Sequence, residues 1–298
     1  MRRSSIALAV VLLTACSRGA AQLPPAPHYS PPALTFPSPE ASPSPTPSHV
    51  FVIVLENRSY AQVVGSGYIA KLAQGYAYTA NYHGVSHPSL PNYLALTSGT
   101  TYGIADDGWH SLPAGGLGDQ LTTAGIDWRA YMEGMSNGCY RSPYPYALKH
   151  NPFAYYGGTC PSEVVPFSNF AQDMRGDVPR FVWITPDLCH DGHDCSNAVV
   201  SSWLSQTVPA ILATSAWQDD GVLFITWDEG EDSANSVLTL VIHPDPLLHR
   251  SDKSYNHYSL LATIEDDLGL PRLGGAAQAA PIDDLLAARP LPRFRSKT

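Results

Sequence analysis

The sequence predicts an α/β protein, with a mostly parallel central sheet and helices on both faces. Four segments are continuously apolar and largely β-branched, the pattern of strands covered on both sides. Segments with helical spacing alternate with them. Each apolar run also ends in residues able to do chemistry, and in an open parallel sheet the carboxyl ends of the strands share one ligand-binding edge.

The strands are read at His49 to Leu55, Phe181 to Ile184, Val222 to Thr226 and Leu238 to Ile242. Helices are predicted near 66–74, 90–97, 116–124, 198–214 and 257–268. The strand tips are Glu56-Asn57, Thr185-Pro186-Asp187, Trp227-Asp228-Glu229 and His243-Pro244. Brought to one edge, the acids would repel each other, and a divalent cation with oxygen ligands resolves that conflict.

With 298 residues the chain has room for one large core plus tails. Its 14% charged and 10% aromatic content excludes a disordered or coiled-coil protein. A formal charge of -9 argues against a nucleic-acid partner, which needs clustered positive charge. Residues 1–15 read as an export signal, with Arg2 and Arg3 before a short apolar run. Leu13-Thr14-Ala15-Cys16 resembles a bacterial lipobox, so Cys16 is the candidate lipidation site and membrane tether, with an ordinary cleavable signal as the alternative. Lipid-anchored, the protein would sit at the cell envelope; otherwise it would be periplasmic or secreted. Residues 16–48, rich in Pro, Ser, Ala and Thr, read as an unpacked tether. One catalytic domain is expected over 49–270, followed by a loosely packed tail with a final helix over 271–298.

Apart from Cys16, four cysteines remain, an even number in an exported chain. Of three connectivities, Cys139 with Cys160 and Cys189 with Cys195 is favoured because each closes a short loop. A zinc site is the competitor, although Cys-x5-Cys is not a usual knuckle spacing.

The candidate nucleophile is Ser89, in His87-Pro88-Ser89-Leu90-Pro91-Asn92-Tyr93. Pro91 suits a first helical turn and Gly99 a helix stop, which makes Ser89 a natural N-cap. Serine caps helices widely. A helix start also offers free N–H groups to a phosphate, and metal coordination would activate the hydroxyl.

Five blocks, Glu56 to Tyr60 with the strand before it, 87–93, Thr185 to Cys195, Thr226 to Gly230 and Tyr255 to Leu261, together resemble the phosphoesterase family of acid phosphatases and phospholipases C, within the alkaline-phosphatase-like superfamily. The resemblance implies Ser89 as attacking group and Asn92 near the phosphate oxygens. It implies a metal shell of Glu56, Asn57, Ser89, Asp228 and Glu229 around one divalent ion, with Asp187 available to a second. It implies His87, His193 and His257 as groups that hold phosphate oxygens or protonate the leaving group, and His190 as a weaker substrate contact. Lys149, in a block over 149–153 that also resembles the family, is either a phosphate contact or a solvated lysine. His28, His110, His243 and His249 receive no role.

The reading is therefore a metal-dependent hydrolase of small phosphate esters that passes through a phosphoserine, with histidines favouring turnover below neutral pH. A phospholipase C or other phosphodiesterase is the alternative, although that branch usually carries further C-terminal domains. An inactive surface-binding lipoprotein is the alternative of another class. A Ser-His-Asp hydrolase is a poor fit beside this resemblance.

Overall fold

β1 (Val50–Leu55), six consecutive buried residues, lies inside the sheet. The protein is described from a computed structural model over residues 49–244, 246 and 249–286. The expected signal segment, the expected tether and Cys16 lie outside the described residues. In chain order the remaining elements are α1 (Tyr60–Val63), α2 (Gly67–Gly75), β2 (Ala77–His83), α3 (Ser89–Ser98), α4 (Gly116–Thr123), β3 (Trp128–Met132), β4 (Val164–Pro166), α5 (Phe170–Asp173), β5 (Phe181–Thr185), α6 (Asn197–Leu212), α7 (Ser215–Gln218), β6 (Val222–Trp227), β7 (Ser236–Ile242), β8 (Arg250–Ser251), β9 (Tyr255–Asn256) and α8 (His257–Leu268).

The sheet order is β4-β3-β5-β1-β6-β7-β2-β8, with β9 also beside β2. β1 is parallel to β5 and β6, and every residue of these three strands is buried, so helices must cover both faces. α2 packs with α6, and α3 packs with α4 and α8. α3 is buried along all ten residues, so its sequence carries no amphipathic stripe. It stops at Gly99, whose φ of 70° lies in the left-handed region and whose amide donates to the Ala95 carbonyl.

The direction of β7 corrects the sequence reading. β7 runs antiparallel to both β6 and β2, because only a short turn joins it to β6 and a parallel return needs a long crossover. Its tip, His243, therefore lies at the opposite edge, bonded through Nε2 to Asp220 Oδ1 at 3.1 Å. In the tail, of which 287–298 lie outside the described residues, residues 274–277 form a 3-10 turn. Ile282 and Leu285 are fully buried, the Ile282 amide donates to Thr263 Oγ1, and Asp284 accepts from Tyr255 and Ser251. The domain therefore extends past 270 to at least 286. Cys139 is bonded to Cys160 and Cys189 to Cys195. Among the described residues no helix is long and apolar enough to cross a membrane.

Candidate active site

Register brings the first acids together. Leu55 lies opposite Trp227, and the Asp228 amide donates to the Leu55 carbonyl at 2.9 Å, so Glu56 and Asp228 emerge side by side. The Glu56 amide is taken by the Asp191 carbonyl at 2.9 Å. Asn57 turns the chain away with a φ of 42°, a left-handed conformation that asparagine tolerates better than most residues. Its amide nitrogen donates to Asp228 Oδ1. Glu56, Asp228 and Ser89 are all fully buried.

Ser89 is the first residue of α3 rather than its cap, which is Pro88. Its hydroxyl is thereby released from capping and donates to Glu56 Oε2 at 2.8 Å. Asn92, expected near the phosphate oxygens, has both ends of its amide bonded to the backbone. Its Oδ1 accepts from the Val85 and Ser86 amides, and its Nδ2 donates to the Ser86 and Pro88 carbonyls. These four bonds brace the loop that delivers Ser89. Asn235 adds a bond from its own amide to the Ser86 carbonyl at 3.0 Å.

Two residues that sequence reasoning missed complete the buried centre. His150, 1% exposed, lies with Nε2 3.3 Å from Glu56 Oε2 and Nδ1 3.2 Å from Asp191 Oδ2. Its ring stacks on Tyr93 at 5.2 Å. Burial pushes Glu56 well above the usual carboxylate range, and the charges of Asp228 and Asp191 add to it. Burial, then Glu229, does the same to Asp228, and burial lifts Asp191 to about 7. His150 is driven well below its ordinary value by burial and by Lys149 and His193.

This donor set fits a divalent cation. Glu56 Oε1 and Asp228 Oδ2 are buried without a hydrogen-bond partner. One end of the Asn57 amide lies 2.9 Å from Glu56 Oε2 and 3.2 Å from Asp228 Oδ1. An NH2 there donates to both carboxylates, and an oxygen there would join them as a donor to a cation. Oxygen donors of this kind suit a hard ion.

Around this centre, His87 Nδ1 is paired with Glu229 Oε2, and both line a cleft of about 350 Å³ with Asn57. Glu229 thus turns to His87, and its carboxyl is raised chiefly by burial. His193 bonds Asp194 through Nδ1 at 2.7 Å and lies 3.4 Å from the Lys149 ammonium through Nε2. Lys149 donates to Asp107 Oδ2 at 2.9 Å. Burial works against its charge, but Asp107, Glu56 and Asp228 outweigh burial and raise its pKa.

Three predicted residues sit elsewhere. His257 is wholly buried, with Nδ1 against the Tyr82 hydroxyl and Nε2 against the Asp228 carbonyl. Burial pushes it down to about 4. Both nitrogens are committed to these partners, through which it braces Asp228. Asp187 turns its carboxylate onto the Cys189 and His190 amides of its own loop. His190 bonds Glu133 Oε2 at 3.0 Å. Glu133, Asp187 and His190 lie close enough together to be considered for an ion, yet hydrogen bonds among themselves satisfy them. Glu133 and His190 line a separate groove of about 620 Å³ along α6.

Comparison with known proteins bears on this geometry. A model of the phosphoesterase family matches residues 67–246. The chain is 33% identical over 262 residues to a phosphatidylinositol-3-phosphatase of Mycobacterium tuberculosis, covering 82% of this chain and 85% of that one. It is 31% identical over 254 residues to a probable acid phosphatase of Kluyveromyces lactis, covering 75% of this chain and 59% of that protein. The chain thus spans less than two thirds of that fungal relative. A Vibrio parahaemolyticus crystal structure from the alkaline phosphatase superfamily superposes with a TM-score of 0.58 at 14% identity, covering 76% of this chain and 68% of that one. The phosphonate monoester hydrolase of Agrobacterium radiobacter superposes at 0.54 and 12% identity, covering 79% and 78%. At such identities the superpositions speak to the fold alone.

Proposed function

The chain belongs to the phosphoesterase family and is a hydrolase of phosphoric ester bonds; on that premise we propose that it cleaves phosphate monoesters through a phosphoserine formed at Ser89. The observation that carries this reading is the buried hydroxyl of Ser89 held 2.8 Å from Glu56 at the head of α3, beside the paired tip acid Asp228.

In this reading Glu56, Asn57, Ser89 and Asp228 would hold one divalent cation. Such an ion supplies the positive charge that lowers the proton affinity of the serine hydroxyl and offsets charge growing on the phosphoryl oxygens. Ser89 Oγ passes its proton to Glu56 Oε2, to which it already donates, and attacks phosphorus, so the Oγ–P bond forms while the bond from phosphorus to the alcohol oxygen breaks. His87, at the cleft and oriented by Glu229, gives the departing alcohol its proton. Water then gives a proton back to His87 and attacks the phosphoserine, and Glu56 returns the proton that restores the Ser89 hydroxyl as orthophosphate leaves. His193 and Lys149, 3.4 Å apart, favour the anion. Because histidines gain charge as pH falls below neutral, an acidic optimum belongs to the proposal. A second ion at Asp187 does not, since that carboxylate caps its own turn.

The relatives' names, phosphatase in each case, support monoesters over diesters. Two disulfides and the leader sequence support work outside the cytoplasm, with Cys16 as the proposed anchor. The test is cation-loaded protein assayed on p-nitrophenyl phosphate and on a phosphocholine diester, beside Ser89→Ala, with acid trapping of phosphoenzyme. Monoester turnover and a trapped phosphoserine in the wild type, both lost in the variant, are expected. Undiminished hydrolysis by Ser89→Ala would remove the nucleophile from the scheme.

A further inference from the structure

The amide of Leu90, second residue of α3, donates to Asp107 Oδ1 at 3.0 Å, and the ammonium of Lys149 donates to Asp107 Oδ2 at 2.9 Å. A helix start and a cation beside the nucleophile are the donors a phosphoryl group needs. Here both are taken by a carboxylate. It is not a local cap, since Asp107 lies 17 residues from Leu90 and 42 from Lys149. Resting on the phosphoester reading above, we propose that the Leu90 amide and the Lys149 ammonium form a seat for a phosphoryl oxygen, and that Asp107 is its internal competitor, displaced when a phosphate ester or orthophosphate binds.

Carboxylate and phosphate oxygens are acceptors of the same kind, and both gain from charge-assisted bonds to N–H donors. Both cannot hold these donors together, because like charges that close repel each other. The exchange needs only a side-chain rotation. The Asp107 side chain is 31% exposed, so solvent is within its reach. Its neighbours are fixed: Asp106 Oδ1 accepts from the Gly108 amide and His110 Nε2, and the Trp109 ring packs on Tyr155 and Tyr140 at 4.9 and 5.2 Å. Asp107 then sets how tightly product is held, lending the empty site a counter-charge and helping to expel orthophosphate after each turnover.

The test is calorimetric titration of cation-loaded protein with orthophosphate, in the wild type, Asp107→Ala and Asp107→Asn, with KM on p-nitrophenyl phosphate and thermal melts alongside. Asp107→Ala should bind orthophosphate about tenfold tighter than wild type and show a lower KM, with Asp107→Asn in between. If Asp107→Ala does not fold, the isosteric Asn variant decides alone. Wild-type binding with variants that bind equally or more weakly overturns the competitor role, and a parallel drop in melting temperature would show Asp107 only bracing Lys149. No orthophosphate binding by any of the three proteins removes the phosphoester reading and this inference with it.

Discussion

Ser89 Oγ and Glu56 Oε2 lie 2.8 Å apart with both residues shut off from solvent. A hydroxyl donating to a buried carboxylate is restrained and directed, and the same carboxylate belongs to the set suited to a cation. In the wild type, a divalent cation at about a hundred times its dissociation constant should raise the melting temperature by about 5 °C or more. Glu56→Gln should lose most of that rise while folding normally without added metal. Differential scanning fluorimetry across a cation series measures both, and an equal rise in the variant would take Glu56 out of the ligand set.

Asn92 makes four bonds to the backbone of residues 85–88. Asn92→Ala leaves two amides without their acceptor in a partly exposed loop, a cost of about 1–3 kcal/mol. Turnover should fall at least about tenfold, since displacing an attacking group by a fraction of an ångström is expensive. Urea denaturation and steady-state kinetics check the pair. A variant with unchanged stability would mean the bracing bonds are dispensable.

Gly99 holds a φ of 70°, and a Cβ there would meet the Leu273 carbonyl oxygen at 2.2 Å. Gly99→Ala should cost about 2 kcal/mol or more, from the left-handed backbone and the clash with the segment packed after α8. The denaturation midpoint should fall with the urea slope unchanged. A loss below about 0.5 kcal/mol, within the range of ordinary surface substitutions, would count against the packed position of residues 271–286.

Glu265, on α8, has its carboxyl pushed up to about 8, chiefly by burial. Its Oε1 accepts from the Leu273 amide at 2.8 Å, while Oε2 is buried without a partner. A folded-state pKa raised above the unfolded one means the native state holds the proton more tightly. The contribution is complete below about pH 4.5 and is lost as pH rises through about 8. Glu265→Gln should therefore match wild type at pH 4 to 5 and exceed it by about 1 kcal/mol or more at pH 9. Melts across pH that run parallel for the two proteins would contradict this.

The legible parts of the fold were those written in uninterrupted apolar runs. β1, β5 and β6 are buried on both faces, and apart from Thr185 and Thr226 their sequences are wholly apolar. β2 alternates and is broken by an irregularity between Thr79 and Tyr82, and β4 is three residues long, so neither has the length or pattern of a recognisable strand. β7 reads as a buried strand but carries no mark of its direction, which the short turn before it decides.

In the site, Glu56, Asp228 and Ser89 could be picked out because strand tips and a helix start place them. His150 could not, because it lies in a short 3-10 segment next to the more conspicuous Lys149, and only the fold turns its ring inward. His257 and Asn92 share the opposite lesson. Residue type announces polar chemistry, but which way the polar atoms face depends on partners such as Tyr82 and the 85–88 backbone.

β1 is the first strand among the described residues, yet Val50 pairs with Phe181 on one side and Val222 on the other. The strand that delivers Glu56 is therefore synthesised before the other described strands and is among the last to find both neighbours. Assembly of this kind is dominated by distant pairings and proceeds slowly. During synthesis the segment must wait, unpaired and greasy, until most of the polypeptide has left the ribosome, an interval in which a chaperone or an export channel can still take hold of it.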